Sequence, residues 1–388
     1  MTPHAAEPAE TTRLLRDLVA LPSVNPMGRA VDGPPYYEGR VGAYLEEFFR
    51  GLGVPCVRQP AAPGRDNVVA RLDLPGARRT LMLEAHQDTV PTDNMTVEPF
   101  GARVEGDRLY GRGACDVKGG MAAMLAAFAR VARERPAGAA NVVMACTVDE
   151  EHTFLGVQRL VRDTRADMAV VAEPTRLQIV SAHKGVVRWH VTTPGRSCHS
   201  SAPEQGENAI YGMGRLLMRI EEYARRLSAG RSDPLLGVPT LSVGRIEGGS
   251  SVNTVPDHCR IEVDRRLIPG EEPEAALDDF RAWLRQEWRQ DQPFTCSAPT
   301  LKAPALGPDR SAELVARLGR AIDGVLGGHR VTAVPYGTDA STIAAAGIPA
   351  VVFGPGDIAQ AHTCDEWVSL AEVAQASEIL YRLVCQAD

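Results

Sequence analysis

The chain has 388 residues, enough for two domains and for a core that needs no covalent staples. Its 44% hydrophobic and 23% charged residues exclude disorder as the main state, and its net charge of −7 argues against a nucleic-acid binder. Eight scattered cysteines without a C-x-x-C pair leave neither a disulfide framework nor a thiolate zinc site. The first residues lack a basic start followed by an apolar core, and no run of about 18 apolar residues occurs. These features predict a cytoplasmic protein with reduced thiols and no membrane partner. In that setting the sequon Asn94-Met95-Thr96 carries no meaning.

Leu14, Leu15, Leu18 and Val19 share one face of a helix predicted over 11–22. Val41, Tyr44, Leu45 and Phe48 do the same over 40–52, with Gly53 as the stop. Four short apolar runs follow along the chain: Thr80–Ala85, Asn141–Thr147, Ala169–Ala172 and Ala350–Phe353. They are apolar on both faces, as strands of a parallel sheet covered by helices should be, and 119–134 reads as one such helix.

The middle of the chain has another rhythm. A strand is predicted at Val186–Thr193. A helix over 207–227 follows, with Ile210, Met213, Leu217 and Ile220 on its apolar stripe. Strands Thr240–Ile246 and Cys259–Leu267, a helix over 272–285 and a strand near 293–298 complete the order β-α-β-β-α-β. That order suggests a ferredoxin-like module. The α/β pattern resumes near 304, with a helix over 311–326. Residues 184–303 therefore read as an insertion in a discontinuous domain made of 1–183 and 304–388.

Each apolar run ends in residues that bind metals. His86 and Asp88 lie two apart at the end of the first, on one face if the strand continues. Asp88 could take the second ring N–H of His86. Asp116, in Gly113–Gly120, precedes a helix and could merely cap it. Asp149, Glu150 and Glu151 follow the next run; such neighbours raise each other's pKa unless a cation compensates or the loop is solvated. Glu173 follows the third run and His362 the last. Ligands gather beyond the carboxyl ends of strands in open α/β sheets. His86, Asp116, Glu151, Glu173 and His362 exceed one tetrahedral site and suit two ions sharing a bridge. Imidazole with carboxylate fits Zn2+, and also Co2+ or Mn2+.

The motifs His86–Pro91, Gly113–Gly120, Asp149-Glu150-Glu151 and Gly354–His362 resemble those of the M20 metallopeptidase and deacylase family. The likeness runs from Leu21-Pro22-Ser23-Val24-Asn25-Pro26 to Asp365-Glu366-Trp367-Val368. It implies a zinc-hydrolase-type α/β fold, a mixed and mainly parallel sheet flanked by helices, with the insertion as a lid and dimerisation domain. It also implies that Asp116 bridges two ions, with His86 and Glu173 on one and Glu151 and His362 on the other. Glu150 would be the general base and Asp88 the orienter of His86. Ser197–Pro203 resembles the segment whose histidine, here His199, reaches a partner's site. Asn253 and Arg266 resemble residues that hold a substrate carboxylate, and Gly337-Thr338 a loop near the substrate.

The activity implied is hydrolysis of an N-acyl amino acid to a carboxylate and a free amine, in a homodimer. Ala182-His183-Lys184-Gly185 and Gly354–His362 lean toward the family's acetylornithine deacetylases. Succinyl-diaminopimelate desuccinylases and short-peptide peptidases are the alternatives within it, and a non-catalytic binding protein the alternative outside it.

Overall fold

A computed structural model describes residues 8–31, 33–288 and 293–386. The chain divides into two compact units, one of Met1–Ser181, Gly307–Ala333 and Thr338–Asp388, the other of Ala182–Leu306 and Val334–Gly337.

The first unit is built on an eight-stranded sheet. In spatial order its strands are Cys56–Ala62, Arg65–Leu72, Asn141–Thr147, Thr80–His86, Met168–Val171, Ala350–Val352, Ile179–His183 and Val331–Val334. The four predicted strands form its parallel centre. Antiparallel strands flank them, so the sheet is mixed as expected. Every residue of Thr80–His86 is buried, which explains why that run shows no polar alternation.

Helices Pro8–Val19, Gly119–Glu134, Ala312–Leu326 and Leu370–Val384 pack on one another and share one apolar core with the sheet. Gly119–Glu134 is buried from its first residue to Val131. A β-carbon at Gly120 would stand 2.8 Å from that of Ala172, so this glycine lets the helix start lie against the chain just before Glu173.

The second unit holds an antiparallel sheet in the order Thr240–Gly248, His258–Leu267, Gly185–Pro194, Thr295–Cys296, with Leu301–Ala303 also paired to Gly185–Pro194. Helices Ala209–Ser228 and Pro273–Glu287 cover it. This is the ferredoxin-like arrangement predicted from the element order. Its core centres on Phe280, whose ring meets those of Trp189 and Tyr223 at 4.8 and 5.3 Å. The helix stripe differs from the predicted one. Met213, Leu216, Ile220 and Tyr223 are buried, whereas Ile210 is exposed and Leu217 only half-buried. The buried stripe thus brings Tyr223 against Phe280 of the core.

Candidate metal centre

Register places the site. Val352 lies beside Val171, Val171 beside Glu84, and Glu84 beside Ala145. Four parallel strands thus end in one row, and the residues just past that row meet. His86 is the last residue of its strand. Glu150 and Glu151 follow Thr147, and Glu173 follows Val171. Asp116 comes from the wide turn Ala114–Lys118 at the head of Gly119–Glu134. It makes no cap: Lys118 holds the cap position, and no side chain bonds there.

The Asp116 carboxylate stands between two imidazoles. Its Oδ1 is 3.1 Å from His86 Nε2 and its Oδ2 is 3.3 Å from His362 Nε2. Glu151 Oε1 is also 3.3 Å from His362 Nε2. Ligand atoms of His86, Asp116 and Glu151 lie within 4.8 Å of one another, as do those of His86, Glu150 and Glu173. His86 Nδ1 is 2.9 Å from the carbonyl of Asp88 and donates to it. Burial opposes protonation of His86, but the hydrogen bond to Asp116 and the charge of Glu150 raise its proton affinity well above the usual value, so Nε2 faces a carboxylate where a cation is favoured.

The charges tell the same story. Burial and the charge of Glu173 push Glu150 well above the usual carboxylate range. Burial and the charge of Asp116 do so for Glu173, and bring Glu151 up to about 7. Burial opposes ionisation of Asp116 too, but bonds from His362 and His86 hold its carboxyl below the usual range. Hydrogen bonds to Asp116 and Glu151 lift His362 to about 10. Such a cluster is short of positive charge, and its oxygen and imidazole donors fit divalent ions.

Asp88 meets His86 through its main-chain carbonyl; its carboxylate is 3.8 Å from the ring. That carboxylate instead accepts the N–H groups of Glu150 and Glu151, both at 3.2 Å, and the Asn25 amide at 2.8 Å. The carboxylate therefore braces the turn that carries Glu150 and Glu151.

Of the other predicted residues, His199, Asn253, Arg266 and Gly337 belong to the second unit. His199 is exposed in the second unit, its Nδ1 2.7 Å from Ser201 Oγ. Asn253 is exposed there as well, accepting from Ser251 Oγ. Arg266 is half-buried and donates to Asp264 at 2.7 Å, while Arg265 is buried and donates to Glu271. Gly337 belongs to the second unit, and Thr338 is buried and caps helix Asp339–Ala345 by accepting from Ala340 N. Cys115 beside Asp116 is buried, and burial with the charge of Glu366 pushes its thiol up.

Sequence reasoning missed a polar frame behind the predicted ligands. Arg65 donates to Asp149 and Glu38, all three buried. Glu84 and Asp339 flank the hydroxyl of Thr147 at 2.5 and 3.1 Å. Burial holds Glu84 up at about 7, and burial with the charge of Glu84 lifts Asp339 well above its usual value. A glutamate inside the otherwise apolar run Thr80–Ala85 was the available signal for this pair.

Hydrolysis of an amide bond with the help of a metal is the chemistry that this fold and donor set define. Residues 82–386 match Peptidase family M20/M25/M40, and the chain belongs to that family. An acetylornithine deacetylase from Myxococcus xanthus is 34% identical over 348 residues, 88% of this chain and 87% of the relative. Another from Pectobacterium atrosepticum is 30% identical over 383 residues, 96% of each. Among solved structures, an M20 family metallo-carboxypeptidase from Sulfolobus solfataricus superposes with a TM-score of 0.77 at 20% identity, over 97% of this chain and 98% of the other. A dinuclear metal-binding M20 peptidase from Bacillus subtilis gives 0.69 at 16% identity, over 97% of each chain.

Proposed function

We propose that this enzyme removes the acyl group from an N-acyl amino acid, N-acetyl-L-ornithine first among them, with two divalent ions. The observation that carries the proposal is Asp116, whose two oxygens face two imidazoles at 3.1 and 3.3 Å. A carboxylate so placed suits a bridge between two ions. His86 and Glu173 would hold one, and Glu151 and His362 the other. Zinc is the first choice, with cobalt or manganese also suited to these donors. When bound, the ions supply Lewis acidity toward the amide carbonyl and a water that ionises near neutral pH.

The chain's own residues do the rest. Glu150 takes a proton from the attacking water and returns it to the leaving nitrogen, so that the C–N bond breaks to a carboxylate and an amine. The Asp88 carboxylate keeps Glu150 in place by accepting its main-chain N–H. Arg266 exchanges Asp264 for the substrate carboxylate, Asn253 assists, and Gly337 and Thr338 border the substrate.

The second unit supports a homodimer. Ile210, Tyr211 and Val252 line an open groove of about 980 Å³, and Ile246 is exposed on the edge strand Thr240–Gly248. In that dimer His199 stabilises the oxyanion in the partner's site. The reaction belongs in the cytoplasm; among the described residues no helix is long and apolar enough to cross a membrane.

Amine release tests this. Protein loaded with zinc or cobalt would meet N-acetyl-L-ornithine, N-succinyl-diaminopimelate, other N-acyl amino acids and dipeptides. Preference for acetylornithine supports the reading and a place in arginine biosynthesis. Preference for another acyl compound or a dipeptide replaces the substrate and keeps the chemistry. Silence across the panel with two ions bound rejects it.

A further inference from the structure

Four of the five ligand side chains are fixed by packing. Those of His86, Asp116 and Glu151 are no more than 8% exposed, and Glu173 is buried. The His362 side chain is 50% exposed, so packing alone does not aim it. Its backbone lies at φ +63°, a conformation that costs a non-glycine residue free energy and persists where neighbours enforce it.

The neighbours that enforce it come from a segment 268 residues away. Asn94 Nδ2 donates to the His362 carbonyl at 3.2 Å. Two residues on, Thr96 donates to the Cys364 carbonyl from its N–H at 2.8 Å and from its hydroxyl at 3.2 Å. The other end of the Asn94 amide is held too, since Oδ1 accepts from Arg112 Nη2 at 3.0 Å. Arg112 and Glu366 form a fully buried pair at 2.6 Å. Glu366 Oε1 then accepts the main-chain N–H groups of Cys115 at 2.9 Å and Asp116 at 3.0 Å. A continuous line of hydrogen bonds thus runs from the exposed ligand His362 to the backbone of Asp116.

We propose that Asn94 and Thr96 form a latch that positions His362, tied through the Arg112–Glu366 pair to the turn that carries Asp116. Asn94 is a positioning residue: it touches neither substrate nor metal. Partners of this kind typically contribute roughly 10–100-fold to metal affinity. The latch rests on the two-ion reading, and it acts on one of the two positions. Loss of Asn94 loosens the ion shared by Glu151 and His362 and spares the one held by His86 and Glu173. Loss of Glu366 frees the backbone of Asp116 and weakens both.

The test is titration of metal-free protein with Co2+, followed by visible absorption and calorimetry. Asn94 is exposed, so its variants should fold. Asn94→Ala should retain the tighter ion and weaken the second by about tenfold or more, with some fall in the metal-free melting temperature because the buried Arg112 loses an acceptor. Asn94→Asp keeps the acceptor for Arg112, removes the donor to His362 and should weaken the second ion in the same way. Glu366→Gln should weaken both ions. Two cobalt ions bound with wild-type affinity by both Asn94 variants would overturn the latch and leave the two-ion reading standing. Failure of the wild type to bind a second ion would overturn both.

Discussion

Asn25 Nδ2 donates to Asp88 Oδ2 at 2.8 Å, across 63 residues of sequence, and both side chains are fully buried. The same nitrogen donates to Asp149 Oδ1 at 2.9 Å. One amide therefore ties together the two carboxylates that frame the Glu150–Glu151 turn. Asn25→Ala leaves both acceptors short of a donor and should cost about 1–3 kcal/mol of stability in urea unfolding. It should also lower kcat, because Asp88 then holds the N–H of Glu150 less firmly. Asn25→Asp adds a third buried carboxylate and should be worse on both counts. Unchanged kcat in Asn25→Ala would show that the frame does not position the base.

Glu150→Ala separates proton transfer from ligation. Removing the base should lower amine release by ~10²–10⁴-fold while both ions stay bound. Metal content by elemental analysis and turnover on the best substrate check it. Near-normal turnover with both ions present would remove Glu150 from its role.

These two predictions mark what was legible in the sequence. The strands that end at His86 and Thr147 were readable because burial on both faces leaves an unbroken apolar run, and the polar residue that ends it stands out. The hairpin Cys56–Ala62 and Arg65–Leu72 was not readable. Its first strand buries only Gln59 and carries Pro60, so no apolar pattern marks it. The frame of Asn25, Asp88 and Asp149 was invisible for another reason. Its members come from distant segments, and only the pairing of Asn141–Thr147 with Thr80–His86 brings two of them together. The contact between the Asp88 carbonyl and His86 was not legible, because strand alternation says which face a side chain takes, but not that its own carbonyl is nearer to the ring.

Gly156 tests how tightly the turn is held. A β-carbon there would stand 2.3 Å from the carbonyl oxygen of Val148 and 2.4 Å from its nitrogen. Backbone must move to admit it, and Val148 adjoins Asp149 in the turn. Gly156→Ala should therefore cost about 1–3 kcal/mol or more and lower kcat. Gly214 is the control, an exposed helix position with nothing within 4 Å of an added β-carbon. Gly214→Ala should gain up to about 1 kcal/mol without changing kcat. Chemical unfolding of the two variants side by side distinguishes them.

His183 predicts a dependence on pH outside the metal centre. It is fully buried, its Nδ1 donates to the Lys184 carbonyl, and burial holds it down at about 4. An unfolded chain protonates this ring near 6.5. Between those values the unfolded state binds the proton and the folded state does not. The stability it contributes is thus complete above about pH 6.5 and lost as the pH falls toward 4. From pH 7 to 5 the loss should be roughly 2 kcal/mol. His183→Gln should lack that slope, so the gap between wild type and variant in urea unfolding should shrink over the same range. A constant gap would mean that the ring stays charged when buried.

Subunit mixing tests the proposed action of His199 across a dimer. His199→Ala and Glu150→Ala should each be nearly inactive, for different reasons. A mixed dimer contains one site with an intact Glu150 that faces an intact His199 from its partner, and one site that lacks both. Equal mixing gives half mixed dimers, so about a quarter of all sites should recover if the two groups act from opposite subunits. Recovery should require subunit exchange, which differently tagged chains report directly. If His199 serves its own subunit, no arrangement of the two variants restores a complete site, and the mixture should stay as inactive as its parts. Exchange proven by the tags without recovered amine release would therefore place His199 in its own subunit or outside the reaction.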